Sequence, residues 1–212
     1  MSNNEYVSRF LSLKCSGDVL NSVSRGGKSP KEITESMAII KHLKKFALEE
    51  PMKYAVVDLC AGNALTSVLS VFMLPVKEAL AIDKKKRNGH YEDVKRFEYI
   101  EKDIQYAHFF PRQTGSKAIL ISVHPCKAAN LVIDIYNRFD VFKHLILIPC
   151  CNDNYRDVTA WNWLRKAQRV SSYDLWTLHL ANMIEDSKIN IYTDDQIMSP
   201  KNNIIVASRK GE

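Results

Sequence analysis

One segment constrains the fold of this chain more than any other, residues 54–64, which read Tyr-Ala-Val-Val-Asp-Leu-Cys-Ala-Gly-Asn-Ala. It begins as a short apolar run and reaches an acid at Asp58. A run of this length followed by turn-forming residues is typical of a strand that is buried on both faces. The small residues Cys60, Ala61 and Gly62 come next and predict a tight turn, where backbone N–H groups can approach a ligand closely.

The same pattern, a short apolar run followed by turn-forming residues, recurs along the chain. Six further strands are predicted, at 79–83, 97–103, 118–123, 144–149, 188–192 and 203–207. Helices are predicted at 63–73, 84–96, 128–138 and 155–186. Alternating strands and helices need crossover connections, so they predict an α/β fold with a parallel sheet covered on both faces. Only a loop separates the last two strands, which predicts an antiparallel hairpin and a seven-stranded, Rossmann-like sheet.

A helix is also predicted ahead of the first strand. Ser29 suits the N-cap, Pro30 the first helical position, and Glu32 completes a capping-box pattern. Residues 1–29 are therefore expected to form an N-terminal extension, and residues 30–212 a single domain.

Composition limits the classes of protein to which the chain can belong. No apolar run approaches the roughly 20 residues that cross a bilayer, and no secretory signal is visible, so a membrane partner is not expected. The cysteine count of 5 is odd, with Cys150 and Cys151 adjacent, which favours an intracellular, cytoplasmic location over a disulfide framework. No ligand spacing predicts a metal site. The net charge of +6 allows a polyanionic partner such as RNA without requiring one.

Acids follow three of the predicted strands, where ligands bind in an open parallel sheet. After Asp58, Asp83 is placed to accept ribose hydroxyls, and Asp103 to take the amine of adenine. Three such acids suit a nucleoside without phosphates; no P-loop is present, and Leu65 occupies the position of the last glycine in a dinucleotide motif. The candidate cofactor-binding residues are Asp58, Cys60, Ala61, Gly62, Asn63, Asp83, Lys84, Asp103, Ile104, Ser122 and Val123.

The ends of the fourth and fifth strands supply the candidate catalytic residues. His124 follows the fourth strand, and histidine is the side chain that exchanges a proton near neutral pH. Asn152 follows the fifth strand and is expected to face the substrate along with His124. Cys126 and Cys150 allow an alternative, in which a thiolate adds to a pyrimidine ring. Small cysteines that simply fill tight strand ends are the favoured interpretation.

The segment from Asp58 to Gly62 resembles motif I of class I S-adenosylmethionine (SAM)-dependent methyltransferases, written D-x-G-x-G-x-G. Cys60 stands in place of the first glycine and Ala64 in place of the third. The resemblance covers about residues 30–210 and implies the class I methyltransferase fold, SAM as cofactor, and a methyl-transfer reaction. The amino-methyltransferase motif [DNS]-P-P-[YFW] is absent after the fourth strand, which argues against N-methylation of DNA bases.

A narrower resemblance involves three short segments. Val-His-Pro-Cys at 123–126 and Ile-Pro-Cys-Cys at 148–151, with Ser-Pro-Lys at 29–31, are similar to a subgroup with His-x-Cys after strand 4 and Cys-Cys after strand 5. This subgroup includes the tRNA 2′-O-methyltransferase family with a Cys-Cys-His motif. Asn152 stands where that histidine is common, so its metal or acid–base roles are not carried over.

The function expected from these patterns is SAM-dependent methylation of RNA, either tRNA or rRNA, with SAM and S-adenosylhomocysteine as ligands. Two alternatives remain open at this point. In the first, the chain is a methyltransferase-like module that has lost catalysis and binds RNA or protein. In the second, it is an enzyme that methylates a small molecule or a protein side chain. The sequence leaves the oligomeric state open.

Overall fold

A seven-stranded sheet organises the chain. The computed structural model describes residues 4–23, 29–106, 117–150 and 170–211. The strands are β1 Tyr54–Leu59, β2 Glu78–Asp83, β3 Phe97–Glu101, β4 Lys117–Val123, β5 Phe142–Ile148, β6 Ser187–Thr193 and β7 Asn203–Arg209. Each of the seven predicted strands is confirmed, with ends that differ by a few residues.

The strand order in space is β3-β2-β1-β4-β5-β7-β6. Strands β1 to β5 are mutually parallel, while β7 lies antiparallel to both β5 and β6. This confirms the predicted parallel sheet with a C-terminal hairpin. The chain order reverses between β1 and β4, so the crevice beyond their carboxyl ends is where a ligand is expected to bind.

Helices pack on both faces of the sheet. They are α1 Glu5–Leu11, α2 Ser16–Ser22, α3 Pro30–Glu49, α4 Leu65–Met73, α5 Ala129–Arg138 and α6 Ser172–Asn182. Side chains of successive strand residues point to opposite faces, so Val56 belongs to the core under α1 to α4 and Val57 to the core under α5 and α6. Two apolar cores thus hold the strand ends in fixed positions.

Helix α3 begins as predicted. The Ser29 hydroxyl accepts a hydrogen bond from the Glu32 backbone N–H at 3.2 Å, and Pro30 is the first helical residue. The buried side of the helix carries Ile33 and Met37, but also the polar residue Glu35. This polar stretch of the first two turns faces the carboxyl ends of β1 and β4.

The predicted helix at 84–96 is wrong. These residues form bends and a short 3₁₀ turn at Tyr91–Asp93. The Asp83 carboxylate accepts a hydrogen bond from the Lys85 backbone N–H at 3.1 Å, which fixes a turn where the helix was expected to begin. The four consecutive cations at 84–87 repel one another. The Asn-Gly pair that follows them favours a turn, so both features disfavour a helix in this segment.

The N-terminal segment packs against the rest of the chain through α1. Phe10 is fully buried, and the Tyr6 hydroxyl donates to the Asp194 carboxylate at 2.6 Å. The boundary at residue 29 stays a prediction. Of the helix predicted at 155–186, the structure describes only the part that includes α6; Cys151 and Asn152 lie outside the described residues. None of the helices in the described ranges is long and apolar enough to span a bilayer.

Candidate functional site

The turn after β1 has an alternating left-handed backbone. Cys60, Gly62 and Ala64 have φ angles of 60°, 53° and 56°. These are the three glycine positions of the motif that this segment resembles, and a residue with a side chain is strained there by about 1–2 kcal/mol. A Cβ atom built on Gly62 meets no atom within 4 Å, so space is open beside this residue. The turn keeps the conformation that glycines favour although it contains only one.

Asp83, at the end of β2, holds this turn in place. One carboxylate oxygen accepts a hydrogen bond from the Gly62 backbone N–H at 3.0 Å, and the other accepts from the Lys85 N–H at 3.1 Å. A carboxylate has about four acceptor positions, so two remain for hydroxyl groups of a ligand. Asp83 thus has both a structural role and unused acceptor capacity.

Two tyrosines secure the carbonyl groups of the same turn. The Tyr99 hydroxyl donates to the Gly62 carbonyl at 2.7 Å, and the Tyr91 hydroxyl donates to the Asn63 carbonyl at 3.1 Å. Burial raises the pKa of Tyr99, as do the nearby acids, so its hydroxyl remains a donor. The turn is therefore rigidly supported from the β2–β3 side.

Asp58 lies beneath the turn and is only 2% exposed. It accepts a hydrogen bond from the Ser67 hydroxyl at 2.6 Å. Burial raises its pKa to about 7, because the hydroxyl of Ser67 only partly offsets the loss of water. Nearby, the buried Ser122 hydroxyl donates to the Leu59 carbonyl at 2.6 Å and joins the end of β4 to the end of β1.

A cavity of about 650 Å³ opens above the ends of β1 and β4. It is lined by Lys31, Glu32, Glu35, Ser36, Cys60, Ala61, Gly62, Asn63, Leu65, Thr66, Arg87, Asn88, Val123 and His124. Its volume falls within the roughly 300–1,000 Å³ typical of small-molecule sites. The first turns of α3 form one wall and the turn after β1 forms another.

His124 is held between three elements at the edge of this cavity. Its Nε2 lies 2.8 Å from the Glu35 carboxylate on α3, and its Nδ1 lies 3.3 Å from the Pro149 carbonyl after β5. Glu35 is 3% exposed and also lies 3.5 Å from the Lys31 ammonium. Because Glu35 is an acceptor, Nε2 of His124 carries its N–H toward it, which fixes the orientation of the ring.

Glu32 is a second acid from α3 at the cavity wall. One of its oxygens, Oε1, accepts a hydrogen bond from the Asn63 amide at 3.2 Å, which links α3 to the turn after β1. Its other oxygen, Oε2, is buried and has no hydrogen-bond partner among the residues that the structure describes. Burial raises the pKa of Glu32, against smaller opposing contributions from Asn63 and from the Ser29 cap.

The structure brings together only some of the residues predicted from the sequence. Those that line the cavity are Cys60, Ala61, Gly62, Asn63, Val123 and His124. Asp83 reaches the cavity only through its bond to Gly62, while Asp58, Ile104 and Ser122 are buried around it. Lys84 is exposed outside, and Asp103 accepts hydrogen bonds from Gln105. Asn152 lies outside the described residues.

Sequence reasoning missed the contribution of α3 and of the loop after β2. The capping role predicted for Glu32 accounts for an acid at this position, so the sequence gives no sign that it also lies in the cavity wall. The signal that could have revealed Glu35 is its position on the apolar side of a helix, where an acid needs a partner. Arg87 and Asn88 lie in the segment 84–96, where the predicted helix does not form.

Comparison with known proteins agrees with this geometry. Over residues 28–158, more than half of the 212 residues, the sequence matches a family described as a methyltransferase domain. No curated protein sequence matches.

Solved structures with a similar fold include the 23S rRNA methyltransferase ErmE, at TM-score 0.53 and 12% identity, covering 82% of this chain and 68% of that one. The methyltransferase domain of bacterial CtHen1-CN gives TM-score 0.53 and 12% identity, covering 84% and 99%. For a dimethyladenosine transferase from Plasmodium falciparum, the TM-score is 0.50 and the identity is 16%. The match covers 81% of this chain and 61% of that one. These likenesses confirm the predicted fold, and the family match over residues 28–158 assigns the chain to the methyltransferase-domain family.

Proposed function

We propose that this chain is a SAM-dependent methyltransferase that acts on RNA. The observation that carries the proposal is the single cavity that extends from the turn after β1 to His124 at the end of β4. A nucleoside cofactor held at the turn after β1 would present its methyl group toward His124. The methyltransferase domain is inferred to span residues 30–212, with residues 1–29 as an extension whose helix α1 packs onto it.

The residues present suit SAM. Open space beside Gly62 leaves room for a ligand against the backbone, and Asp83 keeps acceptor positions for ribose hydroxyls. Asp103, at the next strand end, is the proposed contact for adenine. When bound, SAM supplies a methyl group on a positively charged sulfur. The protein then has to orient the acceptor and remove a proton where the acceptor carries one.

His124 is the proposed proton acceptor. In the structure its Nε2 faces the Glu35 carboxylate and its Nδ1 faces the Pro149 carbonyl at 3.3 Å. The ring therefore has to turn away from the Pro149 carbonyl for Nδ1 to take a proton from the methyl acceptor, while the shorter Nε2–H bond to Glu35 is kept. Asn152 follows β5 in sequence and is proposed to contact the acceptor beside His124.

RNA is the proposed acceptor class because of basic residues that line the cavity or follow the ends of β2 and β4. Lys31 and Arg87 line the cavity, and Lys84, Lys127 and Arg87 are exposed. Together with the net charge of +6, they favour a polyanion. Two of the similar folds belong to proteins named as an rRNA methyltransferase and a dimethyladenosine transferase, which supports the same choice.

The finer subgroup with His-x-Cys and Cys-Cys motifs is part of the proposal. In support, the Cys126 backbone N–H donates to the Cys150 sulfur at 3.1 Å, so the two motifs meet at adjacent strand ends. Cys150 is buried and acts as a small, hydrogen-bonded packing residue, whereas Cys126 is exposed.

Isothermal titration calorimetry with SAM and S-adenosylhomocysteine tests the cofactor. We expect micromolar binding that Asp83→Asn weakens about tenfold or more, since the amide loses its charge-assisted bonds. The exposed Asp195→Asn is the matched control. Binding that is undetectable at millimolar concentration contradicts the proposal, and an Asp83→Asn variant that binds like the wild type contradicts the assigned cofactor site.

The acceptor is tested with labelled SAM and separate pools of total RNA, protein and small metabolites. Label is expected in the RNA pool, and His124→Ala is expected to lower its incorporation by about 100-fold or more. Label in the protein or metabolite pool instead would replace RNA with that acceptor class. SAM binding without transfer to any pool would indicate a domain that has lost catalysis.

A further inference from the structure

The Oε2 atom of Glu32 is an unusual feature of the cavity wall. It is buried and, among the residues that the structure describes, receives no hydrogen bond, although its partner oxygen accepts one from Asn63. Buried carboxylate oxygens in proteins almost always have a donor, so an orphan of this kind marks a place where a donor from a ligand is expected. Glu32 itself lines the cavity, so a rotation of its carboxylate brings this oxygen to a ligand there.

The neighbouring charges leave Glu32 in need of a cation. The Lys31 ammonium lies 3.5 Å from Glu35 and His124 lies 2.8 Å from the same carboxylate, so these two basic groups are engaged by Glu35. The third basic residue of the cavity, Arg87, is exposed. Glu32 forms no ion pair with a residue in the described ranges. The wall of α3 therefore offers one satisfied carboxylate and one that is incomplete.

The position of Glu32 identifies the cation. The hydrogen bond from the Asn63 amide at 3.2 Å fixes the carboxylate beside the turn after β1, next to the open space at Gly62. If Asp83 holds the ribose at the end of β2, the amino-acid part of SAM extends from there along this turn toward Glu32. That part ends in an α-ammonium group, which has three N–H donors, whereas the sulfonium of SAM has none. An oxygen that lacks a hydrogen bond is matched by the ammonium and not by the sulfonium.

We propose that Glu32 binds the α-ammonium group of the methionine part of SAM, through the carboxylate oxygen that Asn63 leaves unsatisfied. This inference rests on the proposed function, because it places SAM in the cavity. It adds a cofactor-binding residue on α3, outside the strand ends from which the sequence predicted all of the others. It also gives α3 a part in recognising the cofactor as well as in packing.

Calorimetric titrations at about pH 7, where an α-ammonium is mostly protonated, test the inference. The ligands are SAM, S-adenosylhomocysteine, and the analogue of S-adenosylhomocysteine that lacks only the amino group. The proteins are the wild type, Glu32→Gln and Glu49→Gln. The glutamine at position 32 keeps the size of the side chain and an acceptor for Asn63, and Glu49 is an exposed acid at the far end of the same helix.

We expect Glu32→Gln to weaken SAM and S-adenosylhomocysteine equally, by about 10- to 100-fold, as for loss of a hydrogen bond to a charged group. The wild type should bind the deaminated analogue more weakly by a similar factor, and Glu32→Gln should not weaken it further. Glu49→Gln should bind as the wild type does. The comparison of ligands on the wild type needs no variant, so it can overturn the inference even if Glu32→Gln is poorly folded.

Three results would overturn the inference while leaving the proposed function intact. The first is that the wild type binds S-adenosylhomocysteine and its deaminated analogue with equal affinity. The second is that Glu32→Gln loses affinity for SAM alone. The third is that Glu32→Gln loses as much affinity for the deaminated analogue as for S-adenosylhomocysteine. A wild-type protein that binds neither SAM nor S-adenosylhomocysteine would overturn the proposed function and this inference with it.

Discussion

The turns after β1 and β4 use the same backbone device for different purposes. Both contain residues with side chains in the left-handed region, Cys60 and Ala64 in the first turn and His124 and Cys126 in the second, with φ between 50° and 60°. In the first turn these side chains are small, and the backbone groups form the surface of the cavity. In the second turn the left-handed residue at 124 projects an imidazole that joins three elements.

The buried carboxyl groups beside these turns differ in the same way. Asp58, beneath the first turn, has a neutral hydroxyl partner in Ser67, and burial raises its pKa to about 7. Glu35, beside the second turn, has basic partners in His124 and Lys31. The difference indicates that the first turn is built to shape the backbone, whereas the second is built to hold the imidazole of His124 in place.

The largest effect is expected from Glu35→Ala. Its removal leaves the largely buried His124 and the exposed Lys31 without their shared carboxylate, and we expect a loss of about 3 kcal/mol in the free energy of unfolding, most of it from His124. Urea denaturation measures it. The control is Glu50→Ala, which breaks a 3.0 Å ion pair with Lys117 that is more than a third exposed on both sides, and such pairs contribute about 0–1 kcal/mol.

A double-mutant cycle with His124→Ala isolates the pair. A coupling energy of about 1–3 kcal/mol is expected between Glu35 and His124, as for residues that share one hydrogen-bond network. If Glu35→Ala costs no more than Glu50→Ala, the second turn does not depend on its charged partners, and the contrast between the two turns fails.

The next effect concerns Asp58 and pH. Its pKa is raised from 3.8 to about 7 in the folded protein, so the folded state binds more protons than the unfolded state between these values. The contribution of Asp58 is therefore present at low pH and is lost as pH rises through about 7. Asp58→Asn lacks this titration, so its stability relative to the wild type should rise by on the order of 2 kcal/mol from about pH 4 to about pH 8.

Ser67→Ala supplies the companion measurement. The Ser67 hydrogen bond lowers the pKa of Asp58, so its removal should extend the loss of stability to higher pH. Denaturation curves at several pH values distinguish the two variants. A stability difference between Asp58→Asn and the wild type that is constant with pH would show that Asp58 is ionised in the folded state throughout, as expected for an acid with a cationic partner.

The sheet was predictable from the sequence because its strands are short apolar runs with turn signals between them, as at 118–123. The wrong helix at 84–96 shows the limit of that reasoning, because a local hydrogen bond from the Lys85 N–H to Asp83 competes with helix formation. The turn after β1 was predicted as a ligand site for a local reason, since small residues and an acid are adjacent in the chain.

The α3 wall of the site was not predictable in the same way. Glu32 and Glu35 are separated from the cavity residues Asn63 and His124 by 31 and 89 positions in the chain. Their roles depend on how α3 packs across the ends of β1 and β4, which periodicity does not specify. An acid in the first turn of a helix is also explained fully by capping, so nothing local distinguishes Glu32 from an ordinary capping residue.

The smallest effect tests whether the first turn needs its backbone conformation alone. Ala64→Gly relieves left-handed strain of about 1–2 kcal/mol, which offsets the loss of a buried methyl group and the added freedom of the unfolded chain. Its net effect should be near zero. Ala61 is not in the left-handed region, so Ala61→Gly should destabilise the protein by about 1 kcal/mol. His124→Gly relieves the same strain in the second turn but removes the bond to Glu35, so it should destabilise the protein clearly. Equal losses of stability for Ala64→Gly and Ala61→Gly would mean that strain at the glycine positions of the first turn is negligible. The two turns would then share their φ angles and nothing more.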